Sequence, residues 1–265
     1  MRTVSVITPV HEISAPYLVE AYKSLNDQEM PDGWQWRWLV QEDGEAGTIA
    51  DFLPDDPRIS YSTGRAGGPG VARTLALARA DGELVKVLDA DDQLTEGALA
   101  RDIAILDEHQ DVGWSTARVL DLLPDGSIQS WEHSDPPDGP IERGQVYHYW
   151  RNQHRLPVHP ATLCIRRQLL LALGGWMALP TSEDTGLLIA LNIVARGYFI
   201  GQPALLYRKW PGQITGHASH VDPCQRAERD RIIRARAEAL LDMYPLPSTT
   251  GADMTGPGRT AELTS

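Results

Sequence analysis

The sequence predicts an α/β fold with a mostly parallel sheet flanked by helices. In the first hundred residues, short β-rich runs alternate with amphipathic helical patterns, as in right-handed β-α-β units. The chain has 265 residues, of which 42% are hydrophobic, enough for one large core. Acidic and glycine-rich loops follow the predicted strands, at the edge where open α/β sheets bind ligands. A ligand site is therefore expected along that edge.

Four strands are predicted in this first part of the chain. Each is a short run rich in β-branched, aromatic or aliphatic residues and bounded by turn residues. They are Thr3–Thr8, Arg37–Gln41, Arg58–Ser62 and Leu84–Leu88. Loops that bind a ligand are expected directly after each of them.

The segments between these strands have helical spacing. Ser14 and Pro16 indicate the start of a first helix, whose apolar face carries Leu18, Tyr22 and Leu25. A second helix is predicted after the glycine-rich run at residues 67–70.

A third helix in the first half is predicted to be capped by Thr95. Its residues Leu99, Ile103 and Leu106 recur at helical spacing and are expected to face the core.

From Val112 the pattern changes, which predicts a mixed second half. The expected elements are a hairpin of Trp114–Leu122 and Ser127–Trp131 around the turn Pro124-Asp125-Gly126, a helix near Val146–Asn152, a buried helix in the run from Gly186 to Ala195 and an Arg-rich helix from Asp222 to Asp242.

Composition excludes several classes of protein. The formal charge of −12 and the pI near 5.0 argue against nucleic-acid binding, which needs clustered Lys and Arg. Cys164 and Cys224 lack the spacing of a zinc site or a disulfide framework, so reduced thiols in a cytoplasmic protein are expected. No signal-peptide pattern and no apolar run of about 20 residues is present, so no membrane span is expected. The preference for Arg over Lys suggests a bacterial source.

Three acids end the fourth predicted strand. Asp89, Asp91 and Asp92 would repel one another unless a positive charge lies between them, and oxygen ligands of this kind suit Mg²⁺ or Mn²⁺. An EF-hand loop is excluded because Leu94 stands where that loop requires Gly. The alternative is purely structural, with Asp92 helping to cap the following helix.

The glycine-rich run leads into a helix that carries Arg73. Its Gly68-x-Gly70 pattern follows the third predicted strand rather than the first, so a dinucleotide fingerprint is excluded. An inward Arg at such a loop suits a phosphate or pyrophosphate contact. A flexible turn with a surface Arg is the open alternative.

Two further acidic pairs stand at element ends. Glu42 and Asp43 end the second predicted strand and could accept the imide N–H of uracil or thymine or bond ribose hydroxyls, although an ordinary Asp-Gly turn is the alternative. Glu183 and Asp184 open a helix, where acids often serve only the helix dipole. A carboxylate there also suits a general base that faces a hydroxyl group.

Weaker candidates for the same site are polar or aromatic residues of the second half. They are His159, the run Arg208-Lys209-Trp210, and His217 or His220 as a metal ligand.

Taken in order, five motifs resemble those of the family 2 inverting glycosyltransferases, over about Arg2 to Thr215. They are Val4-Ser5-Val6-Ile7-Thr8-Pro9, Glu42-Asp43-Gly44, Gly70-Val71-Ala72-Arg73, Leu88-Asp89-Ala90-Asp91-Asp92 and Ser182-Glu183-Asp184. The chain departs from the family pattern at His11, Glu12, Glu42, Thr74 and Trp210, the last of which stands where a histidine is often found.

The resemblance implies a GT-A fold with residues 1–110 as the nucleotide-sugar-binding half and residues 111–244 as the acceptor-binding half of one domain. Residues 245–265, rich in Pro, Gly, Ser and Thr, are expected to form a disordered tail. The implied nucleotide-sugar-binding residues are Thr8, Pro9, Glu12, Glu42, Asp43, Arg73, Asp89 and Ala90. The implied acceptor-binding residues are Glu183, His159 and Trp210.

The reaction implied is an inverting transfer from a UDP- or dTDP-linked sugar to an acceptor hydroxyl. Asp184 is expected to be the catalytic base, and Asp91, Asp89 and His217 are expected to hold Mn²⁺ or Mg²⁺. Two other functions stay open, a nucleotidyltransferase and a catalytically silent nucleotide-sugar-binding protein. The first would need a basic residue in the loop Pro9-Val10-His11-Glu12, which has none.

Overall fold

The computed structural model describes residues 1–130, 135–213 and 222–246. In these residues one mixed sheet has the strand order β3-β2-β1-β4-β9-β6-β10-β5, with β7 paired to β6 and β8 to β10. The strands are β1 Arg2–Val10, β2 Trp34–Glu42, β3 Ile59–Ser62, β4 Leu84–Val87, β5 Gln93–Leu94, β6 Val112–Leu122, β7 Ile128–Ser130, β8 Gly139–Ile141, β9 Cys164–Arg166 and β10 Arg196–Arg208.

The first four strands form the parallel part of the sheet, as predicted. Strand β1 pairs in parallel with both β2 and β4, and β2 pairs in parallel with β3. Their carboxyl ends therefore lie along one edge, where Val10 pairs with Glu42 and Gln41 with Ser62. This edge carries the acidic and glycine-rich loops.

The second half adds strands that the sequence pattern did not predict. Strand β9 pairs antiparallel with both β4 and β6, and β6 runs parallel to β10. Only three residues form β9, which is too short to show a period. Strand β10 has irregular register around Ile200, Pro203 and Leu205, which interrupts its alternation.

Helices cover both faces of the sheet. They are α1 Leu18–Asn26, α2 Pro69–Leu77, α3 Ala98–Glu108, α4 Gln145–Gln153, α5 Arg167–Ala172, α6 Glu183–Val194 and α7 Pro223–Met243. One core cluster contains residues of α1 and α3, and the other contains residues of α2, α4, α5, α6 and α7. The predicted inward residues of α3 (Leu99, Ile103 and Leu106) are buried, as are Leu18 and Leu25 of α1.

The predicted cap of α3 is wrong. The N-cap residue is Gly97, with a left-handed φ of 68°, and not Thr95. Strand β5 pairs with β10 immediately before Thr95, so the Thr95 hydroxyl donates instead to the carbonyl oxygen of Pro203 at 2.6 Å. Pairing with a strand distant in sequence therefore outweighed a local capping preference.

The remaining predicted elements of the second half agree with the structure where it describes them. Strands β6 and β7 form the hairpin, with Trp131 lying outside the described residues. The carboxylate of Asp222 accepts hydrogen bonds from the amides of Cys224 and Gln225 and so caps α7. Residues 247–265 of the predicted tail lie outside the described residues. Among the described helices, none has the length and apolar character needed to cross a membrane.

Candidate active site

Residues from the ends of β1 and β4, the start of α2, the start of α6 and the end of β10 surround one cavity of ≈ 400 Å³. It opens at the carboxyl-terminal edge of the parallel strands, as expected for this class of sheet. Ten of the predicted site residues line it: Pro9, Asp43, Arg73, Asp89, Ala90, Asp91, His159, Glu183, Asp184 and Trp210.

The acidic loop after β4 is held in place by the end of β10. The backbone amide of Arg208 donates to Oδ1 of Asp92 at 2.9 Å, and its Nε donates to the carbonyl oxygen of Asp91 at 2.8 Å. The indole N–H of Trp210 donates to Oδ2 of Asp91 at 2.7 Å. The loop conformation is thus fixed by residues more than 110 positions later in the chain.

This loop concentrates negative charge in a buried place. Burial, followed by the charges of Asp91 and Asp89, raises the pKa of Asp92 well above its ordinary value. Burial also raises the pKa of Asp91, while the hydrogen bond from Trp210 acts in the opposite direction. Within the described residues, Oδ2 of Asp92 has no hydrogen-bond partner. A cation between these acids would offset the cost of their burial.

The acid loop fits a divalent cation that takes other ligands from a bound molecule. In the part of the chain that the structure describes, no group of three or more His, Cys, Asp or Glu side chains could hold a metal ion. Mg²⁺ is commonly bound by one or two carboxylates together with substrate phosphates and water. Asp91 and Asp89 match that pattern, whereas His217, the third predicted ligand, lies outside the described residues.

Arg73 of α2 bridges two carboxylates from different parts of the site. Its Nη2 donates to Oδ1 of Asp89 at 2.6 Å, and its Nη1 donates to Oε1 of Glu183 at 2.7 Å. The Arg73 side chain is only 7% exposed. Each terminal nitrogen of Arg73 gives one hydrogen bond to a protein carboxylate and retains a second N–H, and Arg73 also lines the cavity. Arg73 therefore holds the two acids together, and its predicted contact with phosphate stays a prediction.

The close approach of α2 and α6 makes this bridge possible. A Cβ atom added to Gly70 would lie 2.7 Å from Cγ of Glu183 and 2.7 Å from the carbonyl oxygen of Met177. Only glycine leaves room there. Gly68, with a φ of 87°, turns the chain into α2 just before it.

Glu183 and Asp184 stand in the first turn of α6, and both line the cavity. Glu183 is 5% exposed, and burial together with the charge of Asp184 raises its pKa to about 7, against the opposing effect of Arg73. Asp184 is half-buried, with Oδ1 accepting from the amide of Thr185. Asp184 is thus the member of the pair that is more accessible to a bound molecule.

The carboxylates of Asp43 and Glu42 both accept hydrogen bonds from neighbouring segments, but only Asp43 lines the cavity. Oδ1 of Asp43 accepts from the amides of Gly67 at 2.7 Å and Gly68 at 3.0 Å. The carboxylate of Glu42 is buried and accepts from the hydroxyl of Tyr61 and, at 3.2 Å, from the amide of Gly47.

The other predicted residues divide among the cavity wall, the protein interior and the exposed surface. Thr8 does not reach the cavity, because its hydroxyl donates to the carbonyl oxygen of Leu88 at 2.6 Å and accepts from the indole of Trp38 at 2.7 Å. Glu12 is exposed and is also not in the cavity wall. His159 lines the wall, and burial lowers its pKa.

Sequence reasoning did not single out Trp176, Thr181, Tyr207 and Gln213, which also line the cavity. A signal for Trp176 exists, since it follows two glycines that both adopt left-handed φ values and turn the chain toward α2. No comparable local pattern marks the other three, which reach the site through tertiary packing.

Residues 5–156 match the family described as Glycosyl transferase family 2. The chain is 30% identical over 114 residues to the poly(ribitol-phosphate) beta-N-acetylglucosaminyltransferase TarS of Staphylococcus aureus. That match covers 41% of this chain and 20% of the relative, so only about a fifth of the relative's length is spanned.

Two solved structures show the same fold. The S. aureus TarS 1–349 complex with UDP-GlcNAc has a TM-score of 0.70 at 20% identity, covering 92% of this chain and 71% of that one. The mannosyltransferase PcManGT from Pyrobaculum calidifontis, in complex with GDP-Man and Mn²⁺, has a TM-score of 0.59 at 18% identity, covering 89% of this chain and 64% of that one.

Proposed function

This chain belongs to glycosyl transferase family 2 and has the GT-A fold, and from that premise we propose that it transfers a sugar from a nucleoside diphosphate to an acceptor hydroxyl with inversion. The observation that carries the proposal is the bridge made by Arg73. It joins Asp89, beside the expected donor diphosphate, to Glu183, which adjoins the expected base Asp184. The donor and acceptor groups therefore share one cavity.

The donor site would use the edge formed by β1, β2 and α2. Asp43 has accepting capacity left after its bonds to two amides, since a carboxylate offers about four lone-pair sites. It could accept the imide N–H of a uracil or thymine ring, which favours UDP- or dTDP-linked sugars. The structural neighbours carry UDP-GlcNAc in one case and GDP-Man in the other. The pyrimidine preference is therefore part of the proposal and is testable.

Asp91, with Asp89 beside it, would hold the divalent cation. When bound, Mg²⁺ or Mn²⁺ would supply positive charge for the diphosphate oxygens. The assignment is supported by Oδ2 of Asp92, which has no hydrogen-bond partner among the described residues, and by the like charges around it. Arg73 keeps Asp89 oriented and contributes positive charge to the same region.

Asp184 would remove the proton from the acceptor hydroxyl. A bond would form between the acceptor oxygen and the anomeric carbon as the bond from that carbon to the diphosphate oxygen breaks. The leaving group departs from the opposite face, so the anomeric configuration is inverted. A general base in this role contributes typically ~10²–10⁴-fold to the rate.

A two-stage experiment tests the proposal. Thermal-shift measurements against a panel of nucleotide sugars, with Mn²⁺ and with chelator, should find cation-dependent stabilisation by a UDP- or dTDP-linked sugar. The best donor is then incubated with the protein and candidate acceptors, and proton NMR compares the anomeric configuration of product and donor. Binding without release of nucleoside diphosphate under any condition would indicate a silent binding protein. In a parallel incubation with a nucleoside triphosphate and a sugar 1-phosphate, formation of a nucleotide sugar with release of pyrophosphate would indicate a nucleotidyltransferase.

A further inference from the structure

The indole of Trp210 makes a contact with the acid loop that has no role in the reaction proposed above. Its Nε1 lies 2.7 Å from Oδ2 of Asp91. An indole has a single N–H, which can only donate a hydrogen bond. The indole of Trp210 therefore engages one carboxylate oxygen of Asp91 and does not itself bind a cation. Oδ1 is the oxygen of Asp91 that Trp210 does not hold.

Trp210 is itself held firmly in this position. Its ring lies against Tyr17, with centroids 5.2 Å apart, and the guanidinium of Arg208 lies 4.6 Å from the centroid of the same Tyr17 ring. A Cβ atom added to Gly212 would come within 2.0 Å of the Trp210 ring. The indole therefore has no room to swing toward Gly212, and its hydrogen bond sets the rotation of the Asp91 carboxylate.

We propose that Trp210 is a positioning residue that restricts Asp91 to single-oxygen coordination and thereby makes the nucleotide site select Mg²⁺ or Mn²⁺ over Ca²⁺. The inference rests on the proposed nucleotide site. Mg²⁺ requires near-ideal octahedral geometry and accepts one oxygen from a carboxylate, whereas Ca²⁺ takes six to eight ligands and often binds both oxygens of one carboxylate. A carboxylate with one oxygen engaged favours the smaller ion.

The rest of the loop reinforces this selection. The backbone amide of Arg208 donates to Oδ1 of Asp92 and its Nε donates to the carbonyl oxygen of Asp91, so the backbone on both sides of the Asp91 side chain is held in one conformation. With Trp210, these contacts fix the loop at three points. A rigid loop of this kind discriminates more strongly between cations than a flexible one.

The test is calorimetric titration of UDP into the full chain in the presence of Mg²⁺, Mn²⁺ or Ca²⁺ in turn, at saturating cation. The wild type should bind UDP more tightly with Mg²⁺ than with Ca²⁺. In Trp210→Phe, which keeps a ring and loses the N–H, the ratio of the two affinities should fall by about tenfold, a change typical of losing one hydrogen bond to a charged group. Affinity with Ca²⁺ should rise in absolute terms.

Two further variants make the result decisive. Gly212→Ala should displace the indole and lower the Mg²⁺ to Ca²⁺ ratio in the same direction, so the test does not depend on one substitution that could fail to fold. Trp34→Phe removes an indole at the first residue of β2, away from the carboxyl-terminal edge that carries the cavity. This control should leave the ratio of Mg²⁺ to Ca²⁺ affinities unchanged.

The outcomes separate this inference from the proposed function. Cation-dependent UDP binding with an unchanged Mg²⁺ to Ca²⁺ ratio in folded Trp210→Phe and Gly212→Ala would overturn the role of Trp210 alone. If wild type binds UDP with none of the three cations, both the cation assignment and the inference are wrong. A drop in binding with all three cations alike would assign Trp210 a merely structural role and would also overturn the proposal.

Discussion

Nη1 of Arg73 lies 2.7 Å from Oε1 of Glu183, although 110 residues separate the two in sequence. Both side chains are almost fully buried, at 7% and 6% exposure. A buried charge that loses its partner lowers the free energy of unfolding, so removing either residue should destabilise the protein through the other. The pair connects helix α2, in the half expected to bind the nucleotide sugar, to helix α6, which carries the expected base.

Replacing Arg73 should strongly destabilise the protein. Arg73→Gln leaves Glu183 and Asp89 without their shared cation, and breaking a buried pair in this way costs about 3–5 kcal/mol. Urea unfolding measures the free energy of unfolding. The matched control is Arg37→Gln, which breaks an exposed pair with Asp81 and should cost less than about 1 kcal/mol. Equal losses in the two variants would contradict a special role for the bridge.

Asp184→Asn should abolish transfer while preserving donor affinity. The substitution keeps the size of the side chain and removes its basicity, so kcat and kcat/KM should fall together by about 10²–10⁴-fold. Initial-rate kinetics and calorimetry with UDP separate the two effects. Glu183→Gln, at the adjacent position, should affect stability or acceptor affinity more than kcat. A near-normal kcat in Asp184→Asn would assign the base to another group, with His159 the next candidate.

The raised pKa of Glu183 predicts how stability changes with pH. The folded pKa is about 7 against an ordinary value of 4.5, so between these values the folded protein binds more protons than the unfolded chain. Stability contributed by this group is therefore present below about pH 4.5 and is lost as pH rises toward 7, by at most about 1.4 kcal/mol per pH unit.

Urea unfolding at intervals from pH 5 to pH 8 measures this dependence. Glu183→Gln is uncharged at every pH, so the stability difference between wild type and variant should move in favour of the variant as pH rises. Asp91 and Asp92 titrate in both proteins and cancel in the comparison. Parallel stability curves for the two proteins would contradict the assignment.

Nucleoside diphosphate binding should require a divalent cation through Asp91. Asp91→Asn removes the charge while retaining an oxygen that can accept from Trp210, so the loop should keep its shape and lose cation-dependent binding. Calorimetry with UDP, in Mn²⁺ and in chelator, provides the measurement. Asp111→Asn, which alters an exposed acid paired with Arg196, serves as the control. UDP binding that is equally tight in chelator, for wild type and Asp91→Asn alike, would rule out the cation.

Competition between nucleotides tests the role of Asp43. UDP and dTDP should displace a bound donor at lower concentration than GDP or ADP, because only the pyrimidines present an imide N–H in the expected orientation. Asp43→Asn should narrow this difference, while Asp55→Asn, an exposed acid outside the cavity, should not. A preference of the wild type for a purine nucleotide would contradict the assignment.

Much of the fold of residues 1–110 was predictable from local sequence. In strands β1 to β4 and helices α1 to α3, apolar residues recur with periods of two or 3.6 residues, a pattern that depends only on near neighbours in the chain. Parallel strands then place their carboxyl-terminal loops along one edge of the sheet. Asp89 and Asp91 were recognisable as site candidates because they directly follow a strongly apolar strand. Asp184 was recognisable because it stands at the start of a strongly apolar helix. Strand β9, with three residues, and strand β10, with irregular register, carry too little periodic signal.

The partners of the site residues were decided by tertiary structure alone. The sequence marked Arg73, Thr8 and Glu42 as polar groups at the edge of the sheet. Thr8 is held by Trp38 and Leu88 and Glu42 by Tyr61, away from the cavity, whereas Arg73 lines the cavity and also bridges Asp89 and Glu183. A buried polar group must find a hydrogen-bond partner, and which partner is near depends on elements that are far apart in the chain. The sequence by itself therefore determined which residues reach the edge of the sheet, and packing determined which of them line the cavity and which are enclosed by the protein.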